Sequence, residues 1–360
     1  MPNTTDPRWQ QVADVLVGYS TAVEPRERVM IAMIETESYP LAQAVYKACV
    51  KAGAYPQIQF LSEKLRHSLL KYGDAEQVSW QPEIEAYGMD WADVYIGLRG
   101  ASDARLMNDI PAPALAANQR AQGQISTMRW EKTRWCLVRL PNAALARNSG
   151  IGLRELEDMF FAACALDYEA ASAKWRETAQ NLSGSETVRI IAGEDTDFEF
   201  SVAGREWLVF DGRINLPDGE IYTAPVNSSL NGRIHFGLPG VFGGRLIPDI
   251  RLEWREGALI NASASSNEEY LRRILQTDAG SSRLGEFAFG LNPHMNRFCG
   301  DSLYDEKISG TIHLALGRAY PECGGENQSS IHWDLVKDLR SQGAVYVDGA
   351  PVLQAGKLLI

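Results

Sequence analysis

The sequence lacks both an excess of positive charge and any long apolar run, and these absences restrict its partners. Its 360 residues contain 35 Lys and Arg against 46 Asp and Glu, which gives a formal net charge of −11. Nucleic acids and anionic membrane surfaces attract clustered basic residues, so neither is predicted as a partner. No apolar run approaches the roughly 20 residues of a membrane-spanning helix, and the polar start MPNTTDPRWQ predicts no signal peptide. Small molecules or peptides are the expected ligands.

Cysteine is also scarce, and its arrangement excludes a disulfide framework. The five cysteines are an odd number, are widely scattered and include no Cys-x-x-Cys pair. Disulfide scaffolds instead carry even numbers of cysteines in short chains, whereas scattered thiols are typical of proteins in a reducing compartment. We therefore predict a cytoplasmic protein. Its reduced thiols, expected mostly to fill the core, are Cys49, Cys136, Cys164, Cys299 and Cys323.

The first half alternates between helical and strand-like patterns. Amphipathic helices are predicted for QQVADVLVGYS and for SYPLAQAVYKACVKAGA, and strands for VEPRERVMIAMIE, YPQIQFL, ADVYIGLRGA and RWCLVRLP. Such alternation is typical of a mostly parallel sheet covered on both faces. A glycine follows one strand in GLRGAS, but without a GxGxxG or Walker sequence it is interpreted as a turn former, and nucleotide binding is not favoured. A long helical stretch, LRELEDMFFAACALDYEAASAKWRETAQNL, is predicted to close this domain.

The pattern changes near Ser183. Short strand-like runs now follow one another, joined by Gly, Asp and Asn turns, among them TVRIIAG, DFEFSVAG, LIPDIRLEWREGALI and GAVYVDGAPVLQAGKLLI. SNEEYLRRILQT is the one clear helical pattern of this half. The sequence therefore predicts an α/β N-terminal domain with a mostly parallel sheet, residues 1–182, followed by a β-rich α+β metal-binding domain, residues 183–360.

Side chains that bind metals concentrate in the second predicted domain. SSIHWDL places His332 and Asp334 two residues apart, so in an extended strand both project from one face as a chelating pair. TIHLALGRAY supplies a second imidazole, His313, in another strand pattern. RLGEFAFG holds Glu286 in a short apolar run, where an ionised carboxylate is costly unless it is paired or metal-bound. NLPDGEIYTAP places Glu220 after an Asp-Gly turn, at the start of a β-rich run.

Each of these residues also has a purely structural interpretation. A glutamate after a glycine turn is usually a surface residue, and a histidine in an apolar strand is usually a hydrogen-bonded core residue. A His-x-Asp pair also occurs often by chance. The combination favours a metal site, because the chain has only five histidines and two of them lie in this segment beside acidic residues.

Several segments, taken in order, carry a resemblance to a known family. They are NLPDGEIYTAP, RLGEFAFG, LYDEK, TIHLALGRAYP, GGENQSSIHWD and the closing VYVDGAPVLQAGKLL. Their order and approximate spacing are similar to those of the M29 metalloaminopeptidases, the aminopeptidase T and aminopeptidase S group. The resemblance is specific over residues 183–360, and in the first half ADVLVGYSTAVEPRERVMI is the best local match.

The resemblance implies a dinuclear site that hydrolyses peptides. The implied metal ligands are Glu220, Glu286, His313, His332 and Asp334. A carboxylate, Glu220 or Glu286, would bridge two divalent ions roughly 3.5 to 4 Å apart, and Zn, Co or Mn suits such N and O ligands. Glu306 falls at the position of the family's proposed general base. Tyr320 falls at that of a tyrosine near the metals, where it would stabilise an oxyanion.

Further expectations follow from the same resemblance. Family members are dimers with an enclosed active site, which implies a homodimer that removes the N-terminal residue of short peptides. The chain is shorter than typical members, so a small non-peptide amide remains an alternative substrate. It also carries Lys307 next to Glu306, where the family usually has Asn.

Two other functions are open to these residues. Proteins of a related fold are mononuclear non-haem iron dioxygenases that open hydroxypyridine rings, and they use two His and one carboxylate. The presence of both Glu220 and Glu286 favours the hydrolase instead. The other alternative is a binding protein that has lost its catalytic activity. Intact residues at all five ligand positions argue against it, because unused buried charge costs stability.

Overall fold

The computed structural model describes residues 6–100 and 106–360. The chain divides into two compact units, Met1–Leu166 with Gly212–Pro217, and Asp167–Asp211 with Asp218–Ile360. In the described chain, no helix is both long and apolar enough to cross a bilayer. All five cysteines are free and buried, as predicted.

The first unit is a parallel sheet connected by helices. Its elements in chain order are α1 (Arg8–Val15), β1 (Arg28–Ile34), α2 (Tyr39–Lys51), β2 (Tyr55–Leu61), α3 (Glu63–Tyr72), α4 (Ala75–Ser79), α5 (Glu83–Trp91), β3 (Val94–Arg99), α6 (Ala112–Thr127), α7 (Arg129–Lys132), β4 (Arg134–Arg139), α8 (Ala143–Ser149), α9 (Leu153–Cys164) and β8 (Asn215–Leu216). The strand order is β2-β1-β3-β4-β8, and all neighbours are parallel.

Burial in this sheet explains why its strands are apolar runs. The five central residues of β1 are all buried, as are the first five of β3, because helices of a parallel α/β unit cover both faces. After α2 the chain turns at Gly53, whose φ of +79° favours glycine. In GLRGAS, Gly100 follows β3, and the two residues after it lie outside the described chain.

The second unit consists mainly of antiparallel sheets. Its elements are α10 (Tyr168–Leu182), β5 (Thr187–Ala192), β6 (Thr196–Ser201), β7 (Leu208–Phe210), β9 (Glu220–Thr223), β10 (Asn231–Phe236), β11 (Gly240–Phe242), β12 (Arg245–Ile247), β13 (Ile250–Arg255), β14 (Ala258–Ser263), α11 (Glu268–Leu275), β15 (Leu284–Gly290), α12 (Ser302–Asp305), β16 (Thr311–Gly317), β17 (His332–Asp338), β18 (Ala344–Val347), β19 (Ala350–Gln354) and β20 (Lys357–Leu358). Together, the two units confirm the predicted fold class.

Two large sheets form most of the second unit. One has eight strands in the order β14-β13-β10-β6-β5-β18-β19-β20, and the other has five in the order β17-β16-β15-β9-β7. Aromatic side chains join them: the ring centroids of Phe200 on β6 and Phe287 on β15 are 5.3 Å apart. Trp207 lies 6.0 Å from both Phe287 and Phe289. One face of the five-stranded sheet is therefore apolar core.

The predicted long helix before Ser183 is two helices that belong to different units. After α9, the Asp167 carboxylate accepts a hydrogen bond from the Ala170 backbone N at 3.1 Å and so begins α10. Helix α10 packs against β7 and β9, and its Ser172 hydroxyl donates to Asp211 at 2.6 Å. The sequence predicts a domain boundary after residue 182, whereas these contacts place α10 with the second unit.

Candidate metal centre

The second face of the five-stranded sheet is polar, and the strand period explains which residues it presents. Asp334 on β17 pairs with Ala315 on β16, which pairs with Glu286 on β15, so the three lie in one row across the sheet. Because side chains two residues apart share a face, His313 on β16 and His332 on β17 project to the same side as this row. The predicted His-x-Asp segment is an extended strand in the structure.

Glu220 reaches the same face from β9. It pairs with Gly290, four residues beyond Glu286 on β15, and therefore projects to the same side. Gly219 before it has a φ of +137°, and a Cβ there would lie 2.8 Å from the Trp175 ring. Only glycine fits this turn, which fixes the position at which Glu220 enters the sheet.

The side chains of the five predicted ligands converge above this face. Ligand atoms of Glu286, His313 and Asp334 all lie within 4.8 Å of one another. The Nε2 atom of His332 is 3.2 Å from Glu286 Oε2 and 3.3 Å from Asp334 Oδ1. The Nε2 atom of His313 is 3.7 Å from Glu220 Oε2 and 3.8 Å from Glu286 Oε1. Small side chains at Ala288 and Ala315 occupy the strand positions between them.

Unsatisfied polar atoms in this cluster match the needs of a divalent cation. The Nδ1 atom of His332 is 2.8 Å from the Arg318 carbonyl oxygen, so the Nδ1–H tautomer donates there and leaves the Nε2 lone pair facing two carboxylates. Glu220 Oε2 and Asp334 Oδ1 are buried and accept no hydrogen bond from the residues the structure describes. Acceptors that face one another require a proton or a metal ion between them. The residues present therefore fit divalent metal.

Electrostatics indicate that protons occupy the cluster when metal does not. Burial raises the pKa of Glu220, although Lys307 and His313 oppose the shift. Burial alone would lower the pKa of His332, but the carboxylates of Asp334 and Glu286 raise it well above its usual value. Metal binding would compete with these protons and release them.

Glu306 lies at the edge of the cluster, directly after α12. Burial, followed by the nearby Asp334 carboxylate, holds its pKa well above its usual value. Its Oε2 is 3.1 Å from the Lys307 Nζ. A carboxyl group close to the predicted ligands, with a raised pKa, is suited to proton transfer.

Tyr320 lies beside His332, with ring centroids 5.2 Å apart. Burial, together with the carboxylates of Glu286 and Asp334, raises the pKa of Tyr320 well above its usual value. Its hydroxyl therefore stays protonated and can serve as a hydrogen-bond donor in the site.

The structure adds two residues that the sequence analysis did not select as part of the site. The Lys307 Nζ is 2.8 Å from Glu220 Oε1 and 3.3 Å from Asp218 Oδ1. Both Lys307 and Asp218 are fully buried. Burial alone would lower the pKa of Lys307, but the carboxylates of Glu220, Asp218 and Glu306 raise it well above its usual value. The available signal was the spacing of Asp218 and Glu220, two residues apart.

Comparison with known proteins identifies the family. The model of the thermophilic metalloproteases, M29, matches residues 5–356. The chain belongs to this family. Membership confirms the prediction that the protein is a metallo-aminopeptidase, a hydrolase that uses divalent metal.

Individual relatives extend over most of the chain. Aminopeptidase 2 of Geobacillus stearothermophilus is 24% identical over 410 aligned residues, which cover 97% of this chain and 98% of the relative. Aminopeptidase T of Thermus thermophilus is 27% identical and covers 72% of this chain and 75% of its own.

Two solved structures share the fold. Wild-type AmpT from Thermus thermophilus superposes with a TM-score of 0.83 at 22% identity, over 98% of this chain and 99% of that one. The 2,5-dihydroxypyridine dioxygenase from Pseudomonas putida KT2440 gives a TM-score of 0.65 at 13% identity, over 98% and 96% of the two chains. At these identities the likeness shows the fold alone, so the residues of the site must separate the two chemistries.

Proposed function

We propose that this metallo-aminopeptidase removes the N-terminal residue of short peptides at a dinuclear metal site. The proposed metal ligands are Glu220, Glu286, His313, His332 and Asp334. The observation that carries the proposal is their convergence on one sheet face, with buried oxygen atoms of Glu220 and Asp334 that no described residue satisfies.

Charge balance supports bound divalent metal. Within the described cluster, five carboxyl side chains lie around one ammonium, that of Lys307, and two imidazoles. These acids are Asp218, Glu220, Glu286, Glu306 and Asp334. The acids outnumber the cations of the cluster, so divalent cations held by Glu220, Glu286 and Asp334 would compensate negative charge that the ammonium does not. Buried charge at this density is costly without such compensation.

The same count distinguishes the hydrolase from the dioxygenase alternative. A mononuclear iron oxygenase needs two His and one carboxylate and leaves the other positions open. Here Glu286 faces both imidazoles and Glu220 faces that of His313, beside Asp334. The site thus has two carboxylates more than the triad of two His and one carboxylate requires, which favours a pair of metal ions that act in hydrolysis.

The roles of the surrounding residues follow from their positions. When bound, the divalent ions would polarise the scissile carbonyl group and lower the pKa of a water molecule. Glu306 would accept a proton during attack and return it to the leaving amine. The Tyr320 hydroxyl would donate a hydrogen bond to the developing oxyanion. A free α-amine on the substrate would be held by the acidic cluster, which restricts cleavage to the first residue.

Four further properties belong to this proposal. We infer that the protein is a homodimer, that its substrates are short peptides, and that Zn, Co or Mn is the native metal. Five buried free thiols support a cytoplasmic location. Light scattering in solution would measure the number of chains per particle, and a monomer would contradict the dimer.

The function is tested with paired substrates. Protein freed of metal and reloaded with Mn²⁺, Zn²⁺ or Co²⁺ is offered dipeptides, amino-acid anilides and the same dipeptides with acetylated N-termini. The expected result is metal-dependent release of the first residue from free-amine substrates only. Equal hydrolysis of the acetylated peptides would contradict an aminopeptidase, and Fe²⁺-dependent oxygen consumption with a hydroxypyridine, without hydrolysis, would favour the dioxygenase. Hydrolysis of the anilides alone would indicate a small amide as substrate.

A further inference from the structure

Lys307 is a completely buried lysine in contact with three acidic residues. Its side chain has 0% of its surface exposed, and its Nζ lies 2.8 Å from Glu220, 3.1 Å from Glu306 and 3.3 Å from Asp218. Lysine is almost never fully buried unless it is paired. These contacts make Lys307 a fixed cation within the site, on a different side of Glu220 from His313.

The backbone around Lys307 holds the ammonium in this position. Its N–H donates to the Tyr304 carbonyl at 3.2 Å, and its carbonyl accepts from the Asn292 N–H at 3.0 Å. The next residue, Ile308, forms a parallel bridge with Asn292. The Phe210 ring centroid lies 5.7 Å from Nζ. A lysine anchored at both its backbone and its ammonium has little freedom to leave.

The Lys307 ammonium contacts one carboxylate oxygen of Glu220 and one of Glu306. On Glu220 it binds Oε1, while Oε2 faces the His313 Nε2 at 3.7 Å. On Glu306 it binds Oε2, and the Asp334 carboxylate lies close to the same side chain. The ammonium thus holds each carboxylate by one oxygen and leaves the other oxygen available to the cluster.

We propose that Lys307 is a positioning residue that limits Glu220 to one metal-binding oxygen and keeps Glu306 out of the metal coordination shell. The inference rests on the proposed function, in which Glu220 is a metal ligand and Glu306 the proton acceptor. Without the ammonium, Glu220 has two free oxygens and the local charge is more negative by one unit. Glu306 is then free to turn towards the cations. Metal binding should be retained or strengthened while turnover falls.

The opposed effects on metal and turnover define the experiment. The variant Lys307→Met keeps a side chain of similar length but removes its charge. Titration calorimetry of the metal-free variant with Mn²⁺ should give a Kd no larger than that of the wild type, because one charge that repels the cation is gone. The rise in Tm that saturating Mn²⁺ produces should be at least as large as that of the wild type. For a dipeptide substrate, kcat should fall about 100-fold with KM little changed, as expected for a displaced proton acceptor.

Lys337→Met is the matched control. Lys337 is also a buried lysine, but its Nζ donates to the His235 carbonyl at 2.7 Å on the apolar side of the sheet. This variant should keep the wild-type kcat and Mn²⁺ affinity. If Lys307→Met does not fold, Lys307→Gln tests the same point, because its amide can donate a hydrogen bond but carries no charge.

Two results would overturn the inference. If kcat and Mn²⁺ affinity fall together, Lys307 only supports the local structure, and if neither changes, it only fills space. Failure of the proposed function looks different, because a wild-type protein that binds Mn²⁺ but releases no N-terminal residue would refute the aminopeptidase proposal. In that case the calorimetric and Tm comparisons would still decide whether Lys307 restrains metal coordination by Glu220.

Discussion

The two faces of the five-stranded sheet are built from alternate residues of the same strands, yet the surroundings of those residues differ in chemistry. Glu286 and Phe287 are neighbours in β15, and both are buried. Glu286 faces imidazoles and carboxylates, with His332 at 3.2 Å. Phe287 faces the rings of Phe200, Trp207 and Phe289 at centroid distances of 5.0 to 6.0 Å.

The contrast separates the source of stability from the source of function. The aromatic face buries apolar surface, which stabilises the fold and holds the strands in register. The polar face instead collects buried charge, which costs stability unless protons or metal ions compensate it. Substitutions on the two faces should therefore change different measured quantities.

The largest effect is expected on the polar face from Glu286→Gln. The amide keeps the size of the side chain but loses the charge that would hold metal between His313 and His332. Activity should fall by at least about 1,000-fold, on the scale of losing the metal's contribution to catalysis. Metal analysis after dialysis should show ions lost, and full metal content with full activity would exclude Glu286 as a ligand.

The second-largest effect is expected from a change at Glu306, which lies on the polar side but is proposed to transfer protons rather than bind metal. Glu306→Gln should keep the metal content of the wild type and lower kcat by about 100- to 10,000-fold, the usual contribution of a general acid or base. Metal analysis and steady-state kinetics on one preparation measure both quantities. Retained turnover would remove Glu306 as the proton acceptor.

On the apolar face, Phe287→Ala should act on stability instead. Removal of a fully buried ring from an aromatic cluster typically costs about 3 to 5 kcal/mol of the free energy of unfolding. Urea unfolding measures this cost, and metal content and kcat at a temperature well below Tm serve as the controls. A loss of metal without a loss of stability would show that the two faces are not independent.

The smallest expected effect is a pH dependence of the free energy of unfolding, which arises from Lys337 on the apolar side. Burial lowers the pKa of Lys337 to about 8 from its ordinary 10.5. Between these values the unfolded chain binds a proton that the folded protein has released, so Lys337 contributes stability that rises with pH from about 8 to 10.5. Relative to the wild type, Lys337→Met should lack this rise, which amounts to at most about 3 kcal/mol. The prediction would be contradicted if the free energies of unfolding of the two proteins changed with pH in parallel.

Local sequence patterns predicted the parts of the site that depend on strand periodicity. His332 and Asp334 share a face because they are two residues apart in an extended strand. Glu286 stood out as a charge within an apolar run. The roles of these residues as metal ligands stay predictions until metal binding is measured.

Features that depend on long-range packing were not accessible from the sequence. The contact of Lys307 with Asp218 joins the end of α12 to the turn before β9, and no local pattern connects them. The division between the units likewise depends on where α10 packs, whereas its sequence shows only a helix. The alternation of helices and strands in the first half could be predicted, because it depends on local apolar runs. The fold class predicted from it was correct.

Metal stoichiometry tests the central claim most directly. Metal-free protein is titrated with Mn²⁺ in a calorimeter, and release of the N-terminal residue of a dipeptide is measured at each metal ratio. We predict that binding saturates at two ions per chain and that full activity appears only when both are bound. Saturation at a single ion, with full activity, would contradict the dinuclear aminopeptidase.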